Sequence, residues 1–173
     1  MKIIHVLFLF IASLLVEAKD LRWQNGFDEA LTFNCPSSDS ISYIMSEHNN
    51  HHEDRMWDFH CQRTFTQTTS CMTTNWVNDF DEVLNFQCPS NHVITGMYSF
   101  HDNRHEDRRW KFTCCTASNF CTGNCQWSGY VNDFDKVISW GVPSGHYLAG
   151  AYSYHENKHE DRRWNYLTCS KTC

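Results

Sequence analysis

One stretch of this chain occurs three times. Residues 48–61 read HNNHHEDRMWDFHC, residues 101–114 read HDNRHEDRRWKFTC, and residues 155–168 read HENKHEDRRWNYLT. Each copy carries H-x3-H-E-D-R-x-W and an aromatic residue two positions later. The aspartates fall at 54, 107 and 161, a period of 53 and then 54. A fixed period of this length means several copies of one supersecondary unit, each burying its apolar face against the next. The copies extend upstream. Trp23-x3-Phe27-Asp28 matches Trp76-x3-Phe80-Asp81, and Phe134-Asp135 follows with Trp127 displaced by three. Phe33-Asn34-Cys35-Pro36 matches Phe86-Gln87-Cys88-Pro89 and Trp140-Gly141-Val142-Pro143. Ile44, Ile94 and Leu148 are aligned next, then Ser46, Ser99 and Ser153. The repeats run at about 20–72, 73–122 and 123–173.

The N-terminus sets the compartment. Met1-Lys2 is a short positive segment, Ile3 to Val16 is apolar, and Val16-Glu17-Ala18 is a small-residue cleavage site. Residues 1–18 are read as a signal peptide and 19–173 as one secreted domain. The apolar run is too short for a membrane span. All ten cysteines lie after it, and in an oxidising compartment an even set reads as disulfides. Cys35 and Cys61 have the same separation as Cys88 and Cys114. Their counterparts in the third copy are Val142 and Thr168, so both members are missing together, as expected for a bonded pair. Cys35–Cys61 and Cys88–Cys114 follow. Spacing leaves Cys71, Cys115, Cys121, Cys125, Cys169 and Cys173 to be paired. The C-x3-C at 121–125 is read as disulfide chemistry rather than a metal site.

The periodicity is that of strands. Trp110-x-Phe112-x-Cys114 and Tyr98-x-Phe100 alternate, and clusters of Asn, Ser, Gly, Pro and His separate such runs. No long stretch keeps a 3.6-residue period. About four short strands fit in each repeat. Three such units predict an all-β fold with pseudo-threefold closure, which removes exposed sheet edges. A disulfide-stapled β-prism, one four-stranded sheet per repeat, suits the period better than the β-trefoil, whose repeats are usually shorter.

In the repeated motif, two carboxylates adjoin a guanidinium, and Arg forks onto carboxylates. The simplest reading is structural. Glu53, Asp54, Arg55 and Trp57, with Glu106, Asp107, Arg108 and Trp110, and Glu160, Asp161, Arg162 and Trp164, hold the repeats together. Trp is then core and the ion pair pins a loop onto a strand. The variable positions suit binding. His51, Arg104 and Lys158 are equivalent, as are Met56, Arg109 and Arg163, so copies two and three carry local basic clusters on a protein of net charge −6. Arg108 and Arg162 are expected on neighbouring carboxylates, which leaves Arg104, Arg109, Lys158 and Arg163 to meet anionic glycans. His101, His105, His155 and His159 are candidate contacts beside them, with near-neutral titration. The pairs His48/His52, His101/His105 and His155/His159 are each followed by Glu, but the zinc-protease pattern needs Glu between histidines on a helix. No metal or cofactor is expected. No nucleophile elbow, phosphate loop or free thiol points to catalysis, and no broad basic face points to nucleic acid.

The pattern S-x-H-x4-E-D-R-x-W-x-aromatic, with flanking W-x-N-x-F-D and F-x-C-P segments, resembles the dermatopontin family, including its invertebrate haemagglutinin and amebocyte aggregation factor relatives. The match covers roughly residues 20–173. The resemblance implies a non-enzymatic extracellular-matrix or cell-adhesion protein that bridges matrix proteins, proteoglycans and cell surfaces, with self-association open. A lectin of innate defence is the alternative. The family's framework further implies Cys121–Cys173 and Cys125–Cys169, leaving Cys71–Cys115, although adjacent Cys114 and Cys115 could exchange partners. Vertebrate members carry an acidic, tyrosine-rich N-terminal segment. Here Lys19-Asp20-Leu21-Arg22-Trp23 opens the mature chain and Tyr43 is its first tyrosine. No Arg-Gly-Asp triplet and no Asn-x-Ser/Thr sequon occurs.

Overall fold

The computed structural model describes residues 22–173, so the expected leader lies outside the described residues. Among the described residues there are eleven strands and no helix. In chain order they are β1 (Leu31–Asn34), β2 (Asp39–Asn49), β3 (Asp54–Arg63), β4 (Thr69–Thr73), β5 (Leu84–Gln87), β6 (Val93–Asp102), β7 (Asp107–Ala117), β8 (Thr122–Tyr130), β9 (Ile138–Gly141), β10 (His146–Glu156) and β11 (Asp161–Lys171). Three antiparallel sheets result, ordered β1-β6-β7-β4, β5-β10-β11-β8 and β3-β2-β9.

Each sheet draws on two successive repeats rather than one. The long hairpins β2–β3, β6–β7 and β10–β11 belong to single repeats. The short strand of each repeat crosses to a neighbouring hairpin: β1 pairs with β6, β5 with β10, and β9 with β2. The third repeat thereby returns a strand to the first. At two seams a glycine permits the approach. A β-carbon on Gly150 would sit 2.6 Å from the Phe86 carbonyl oxygen, and one on Gly96 would sit 2.9 Å from that of Phe33.

The alternation aims one face of every hairpin at a shared core. Trp57, Trp110 and Trp164 are at most 1% exposed and pack edge to face, with centroids 5.0, 4.9 and 5.4 Å apart and each pair of planes at 79°. Edge-to-face packing is the arrangement that aromatic quadrupoles favour. Ile41, Ile94 and Leu148 occupy equivalent positions opposite Cys61, Cys114 and Thr168. The expected alignment of Ile44 with Ile94 and Leu148 is therefore off by three residues: Ile44 faces Phe59 as Met97 faces Phe112 and Ala151 faces Tyr166, and the same bulge follows Ile41, Ile94 and Leu148 in each hairpin.

Cross-links tie each short strand back to its own repeat. Cys35–Cys61 and Cys88–Cys114 do this covalently, with Cα separations of 5.8 Å in both. Beside them, Phe33 stacks on Phe59 and Phe86 on Phe112. The third repeat, with Val142 and Thr168, places the larger pair Trp140 and Tyr166 in the stack at 4.8 Å. Cys71–Cys115 and Cys125–Cys169 join neighbouring strands at their edges, and Cys121–Cys173 links the start of β8 to the C-terminus.

Candidate functional site

The H-x3-H-E-D-R stretch forms the tip of each long hairpin. A turn closes with the N–H of His52 donating to the Asn49 carbonyl, His105 to that of Asp102, and His159 to that of Glu156, at 3.1, 3.1 and 2.9 Å. Glu53, Glu106 and Glu160 then take left-handed φ values of 46°, 44° and 44°. Such values are uncommon for residues with a β-carbon and persist only when the surroundings enforce them. In the second and third copies the turn brings glutamate back over histidine: Glu106 Oε2 lies 3.2 Å from His101 Nε2, and Glu160 Oε2 lies 3.2 Å from His155 Nε2.

Below the tips, the repeated ion pairs join different repeats. Arg108 donates from Nε and Nη2 to both oxygens of Asp54, each at 2.6 Å. Arg162 does the same to Asp107 at 2.6 Å, and Arg55 to Asp161 at 2.6 and 2.7 Å. The three pairs close a ring, every member at most 4% exposed. Each arginine also donates to a backbone carbonyl of another repeat, at Glu29, Glu82 or Lys136. Each aspartate accepts the backbone N–H of Asp28, Asp81 or Asp135. Those three aspartates sit in left-handed conformations of their own, which Asp tolerates better than most residues.

His101 and His155 are wedged into these junctions. His101 has its side chain fully buried, with Nδ1 3.3 Å from Asp54 and Nε2 3.7 Å from Asp28. His155 stands likewise 3.4 Å from Asp107 and 3.8 Å from Asp81. Burial disfavours the protonated ring and Arg108 repels it, but the close negative charge of Asp54, with Glu106, outweighs both and raises the His101 pKa above its ordinary 6.5. His155 is raised in the same way by Asp107 and Glu160 against burial and Arg162. Burial pushes the Asp54 and Asp107 carboxyls up, but their His and Arg partners win and hold both well below the usual carboxylate range.

The groups Asp28/Asp54/His101, Asp81/Asp107/His155 and His48/Asp135/Asp161 each bring three ligand-type atoms within 4.8 Å of one another. In every group one aspartate is already gripped by two arginine N–H donors. A divalent cation there would face the guanidinium at close range, so the donor chemistry serves an ion pair better than a metal.

The remaining expected contacts lie further out. His52, His105 and His159 stack flat on Phe27, Phe80 and Phe134 at 4.7, 4.8 and 4.7 Å. Arg104 and Lys158 are exposed at their tips. Arg109 and Arg163 are more engaged. Arg109 donates to the Asn78 carbonyl and pairs with Asp79 at 2.8 Å, while Arg163 uses the Asn132 carbonyl and Asp133 at 3.0 Å. Their guanidinium groups also stand near aromatic rings, Arg109 5.8 Å from Trp76 and Arg163 4.4 Å from Tyr130. Tyr130 thus takes the place of Trp76 in the third repeat, and Trp127 is free of that role. The three tips together surround one small opening walled by the glutamates, the Asp–Arg pairs and the Trp triad.

Sequence reasoning passed over Asn25, Asn78 and Asn132. Each is buried, donates from Nδ2 to the carbonyl of Arg55, Arg108 or Arg162, and accepts the N–H of Trp57, Trp110 or Trp164. A side-chain amide here imitates a strand neighbour, holding the Arg-x-Trp backbone from the side. The signal was the asparagine two before each Phe-Asp.

Comparison with known proteins agrees with this pattern. The family model described as Dermatopontin matches residues 25–173. The chain belongs to the dermatopontin family. It is 49% identical over 154 residues to a haemagglutinin/amebocyte aggregation factor of Limulus polyphemus, covering 87% of this chain and 89% of that protein. It is 39% identical over 137 residues to a dermatopontin of Biomphalaria glabrata, covering 79% and 92%. Millepora cytotoxin-1 of Millepora dichotoma is 38% identical over 145 residues, covering 84% of this chain and 65% of that protein. No solved structure matches the chain.

Proposed function

We propose that this protein is secreted and non-enzymatic, and that it promotes matrix assembly or cell aggregation by binding proteoglycans or other anionic glycans through its hairpin tips. The observation that carries the reading is the 49% identity, across most of both chains, to a haemagglutinin/amebocyte aggregation factor. Five disulfides suit an oxidising extracellular setting. Among the described residues no helix is long and apolar enough to cross a membrane. The buried titratable groups are closed on one another in the Asp–Arg–His junctions, which favours a structural role for them over catalysis.

The chemistry of the tips supports an anionic partner. Arg104 and Lys158 project into water, and His51 stands at the equivalent position of the first repeat. Arg109 and Arg163 are candidates of second rank, because Asp79 and Asp133 already neutralise them in part. Retention on immobilised heparin and aggregation of cells test the reading together. Arg104→Ala/Lys158→Ala should elute at lower salt and aggregate cells less, and adding Arg109→Ala/Arg163→Ala should deepen the loss. Wild-type retention and aggregation by the folded quadruple variant would refute it.

A further inference from the structure

The outer face of the sheet β5-β10-β11-β8 carries a groove whose side chains do not recur on the other two sheets. It is an open hollow of about 390 Å³, within the range of small-molecule sites, roughly 300–1,000 Å³. Asn85 and Gln87 of β5, Tyr152 of β10, Asn165 of β11 and Trp127 of β8 line it. The register places Asn85 and Asn165 on either side of Tyr152. Trp127 pairs with Leu167, two residues along from Asn165 on the same face.

These side chains are poorly used by the fold. Trp127 is 40% exposed. Among the described residues, the side chains of Asn85 and Gln87 have no hydrogen-bond partner. Asn165 Oδ1 accepts from Ser128 Oγ at 3.2 Å, which orients the amide and leaves its NH2 uncommitted. No charged side chain lines the groove.

The equivalent faces are built differently. On β1-β6-β7-β4 the matching residues are Thr32, Asn34, Tyr98, Lys111 and Thr73. There the Tyr98 hydroxyl donates to Asn34 at 2.7 Å, and the Lys111 ammonium lies 4.1 Å from the Trp76 ring centroid. On β3-β2-β9 the matches to Asn85, Gln87, Tyr152 and Asn165 are Ser139, Gly141, Met45 and Asp58, and Tyr43 bonds Ser139 at 2.7 Å. Two aromatic residues with three amides thus occur together on one face of the three.

We propose that this groove binds a neutral pyranose sugar. A pyranose has an apolar face of C–H groups and a rim of hydroxyls that both donate and accept. An exposed indole offers a flat apolar surface with a negative face for the polarised C–H groups. Primary amides and a phenol supply donors and acceptors in the mixture that vicinal hydroxyls need. The absence of charge in the lining disfavours sulfated or carboxylated sugars, whose charged groups would lose hydration without a partner. This site is distinct from the basic hairpin tips and does not rest on their role. One chain would then hold one neutral-sugar site besides its anionic-glycan face, and two unlike sites on one molecule can bridge two surfaces.

The test titrates the full, disulfide-intact chain with the methyl glycosides of glucose, galactose and mannose, with N-acetylglucosamine and with lactose. Indole fluorescence and the indole N–H resonances of the seven tryptophans report binding. At least one sugar should bind, with millimolar affinity for a monosaccharide, and should move the Trp127 resonance ahead of the buried Trp57, Trp110 and Trp164. Trp127→Ala should weaken binding by about tenfold or more, and Trp127→Tyr should restore part of it. Because Trp127 is exposed, both variants should keep the wild-type unfolding midpoint. Arg104→Ala/Lys158→Ala should leave sugar binding unchanged while lowering heparin retention, so failure of one site is distinguishable from failure of the other. Silence across all five sugars, or binding that survives Trp127→Ala within twofold, would overturn the assignment. So would a Trp127→Ala variant that merely turns a dimer into a monomer, since the face would then serve self-association.

Discussion

Asp54, Asp107 and Asp161 each answer to an arginine of a different repeat, so a single residue change acts on a junction between repeats. Removing one partner of a buried pair strands the other charge, which typically costs about 3–5 kcal/mol. Arg108→Ala should therefore lower stability by roughly that amount in urea titrations. Asp54→Asn/Arg108→Ala should cost less than the sum of its parts, and strict additivity would count against the pairing. Each buried indole should also matter: Trp110→Ala should cost about 3–5 kcal/mol, because a large cavity opens in the triad. The histidines give the same junctions a pH limit. A raised pKa in His101 and His155 means that their stabilisation is complete below the unfolded value of 6.5 and is lost as pH rises through the higher folded value. The depressed carboxyls run the other way: Asp54 and Asp107 stabilise fully above 3.8, and that contribution is lost as pH falls through their folded values. The urea midpoint should be highest between those limits and decline as pH rises above 6.5 through the raised histidine values, and His101→Asn/His155→Asn should flatten that alkaline limb. An unchanged limb in the variant would place the proton uptake elsewhere. At this scale the sequence announced the motif but not its partners. Glu-Asp-Arg is contiguous in the chain, whereas Arg108 reaches Asp54 across a full repeat, a pairing that only closure of the sheets can bring about.

Strands were legible where alternation was strong. Trp110, Phe112 and Cys114 all point into the core, as period-two reasoning requires. What could not be read was the crossing of β1, β5 and β9 to neighbouring hairpins. Four-residue strands carry little pattern, and their pairing depends on contacts far away in sequence. Gly150 is the local trace of that crossing. Gly150→Ala should push β5 from β10 and cost about 1–3 kcal/mol through overpacking, measured as a lower urea midpoint. Cys71–Cys115 and Cys125–Cys169 share a sequence separation of 44, so the logic of a repeated spacing extends to them as well. The third repeat shows how the fold manages without its Cys35–Cys61 counterpart, by stacking Trp140 on Tyr166. Cys88→Val/Cys114→Thr, which copies that repeat while keeping Phe86 and Phe112, should lose about 2–4 kcal/mol and retain the same far-ultraviolet circular dichroism. A molten far-ultraviolet spectrum would mean that the bond is needed to form the sheet, beyond stabilising it.

The three repeats are joined in a cycle at every level. Each lends a short strand to another, each supplies one indole to the triad, and each arginine closes on an aspartate of a different repeat. Removing any one repeat would leave an unpaired sheet edge, a cavity on the axis and two broken ion pairs. A whole-molecule prediction follows from this closure: residues 22–173 should unfold as one cooperative unit. Thermal traces followed by near-ultraviolet dichroism of the Trp triad and by far-ultraviolet dichroism of the sheets should superimpose. With the disulfides intact, the calorimetric and van't Hoff enthalpies should agree, as they do for small two-state domains. A fragment ending before β8 would lack β9, Asp161, Arg162 and Trp164, and should stay unfolded even with Cys35–Cys61 and Cys88–Cys114 formed. Two separated thermal transitions in the full chain, or a folded fragment, would show that the sheets are independent and that the Asp–Arg ring is an accessory. Cooperative closure also bears on the proposed adhesion, because it holds the exposed His51, Arg104 and Lys158 at equivalent hairpin tips of one frame. On that proposal an anionic partner would meet three preset positions without first ordering loops, and the entropy cost of binding would fall accordingly.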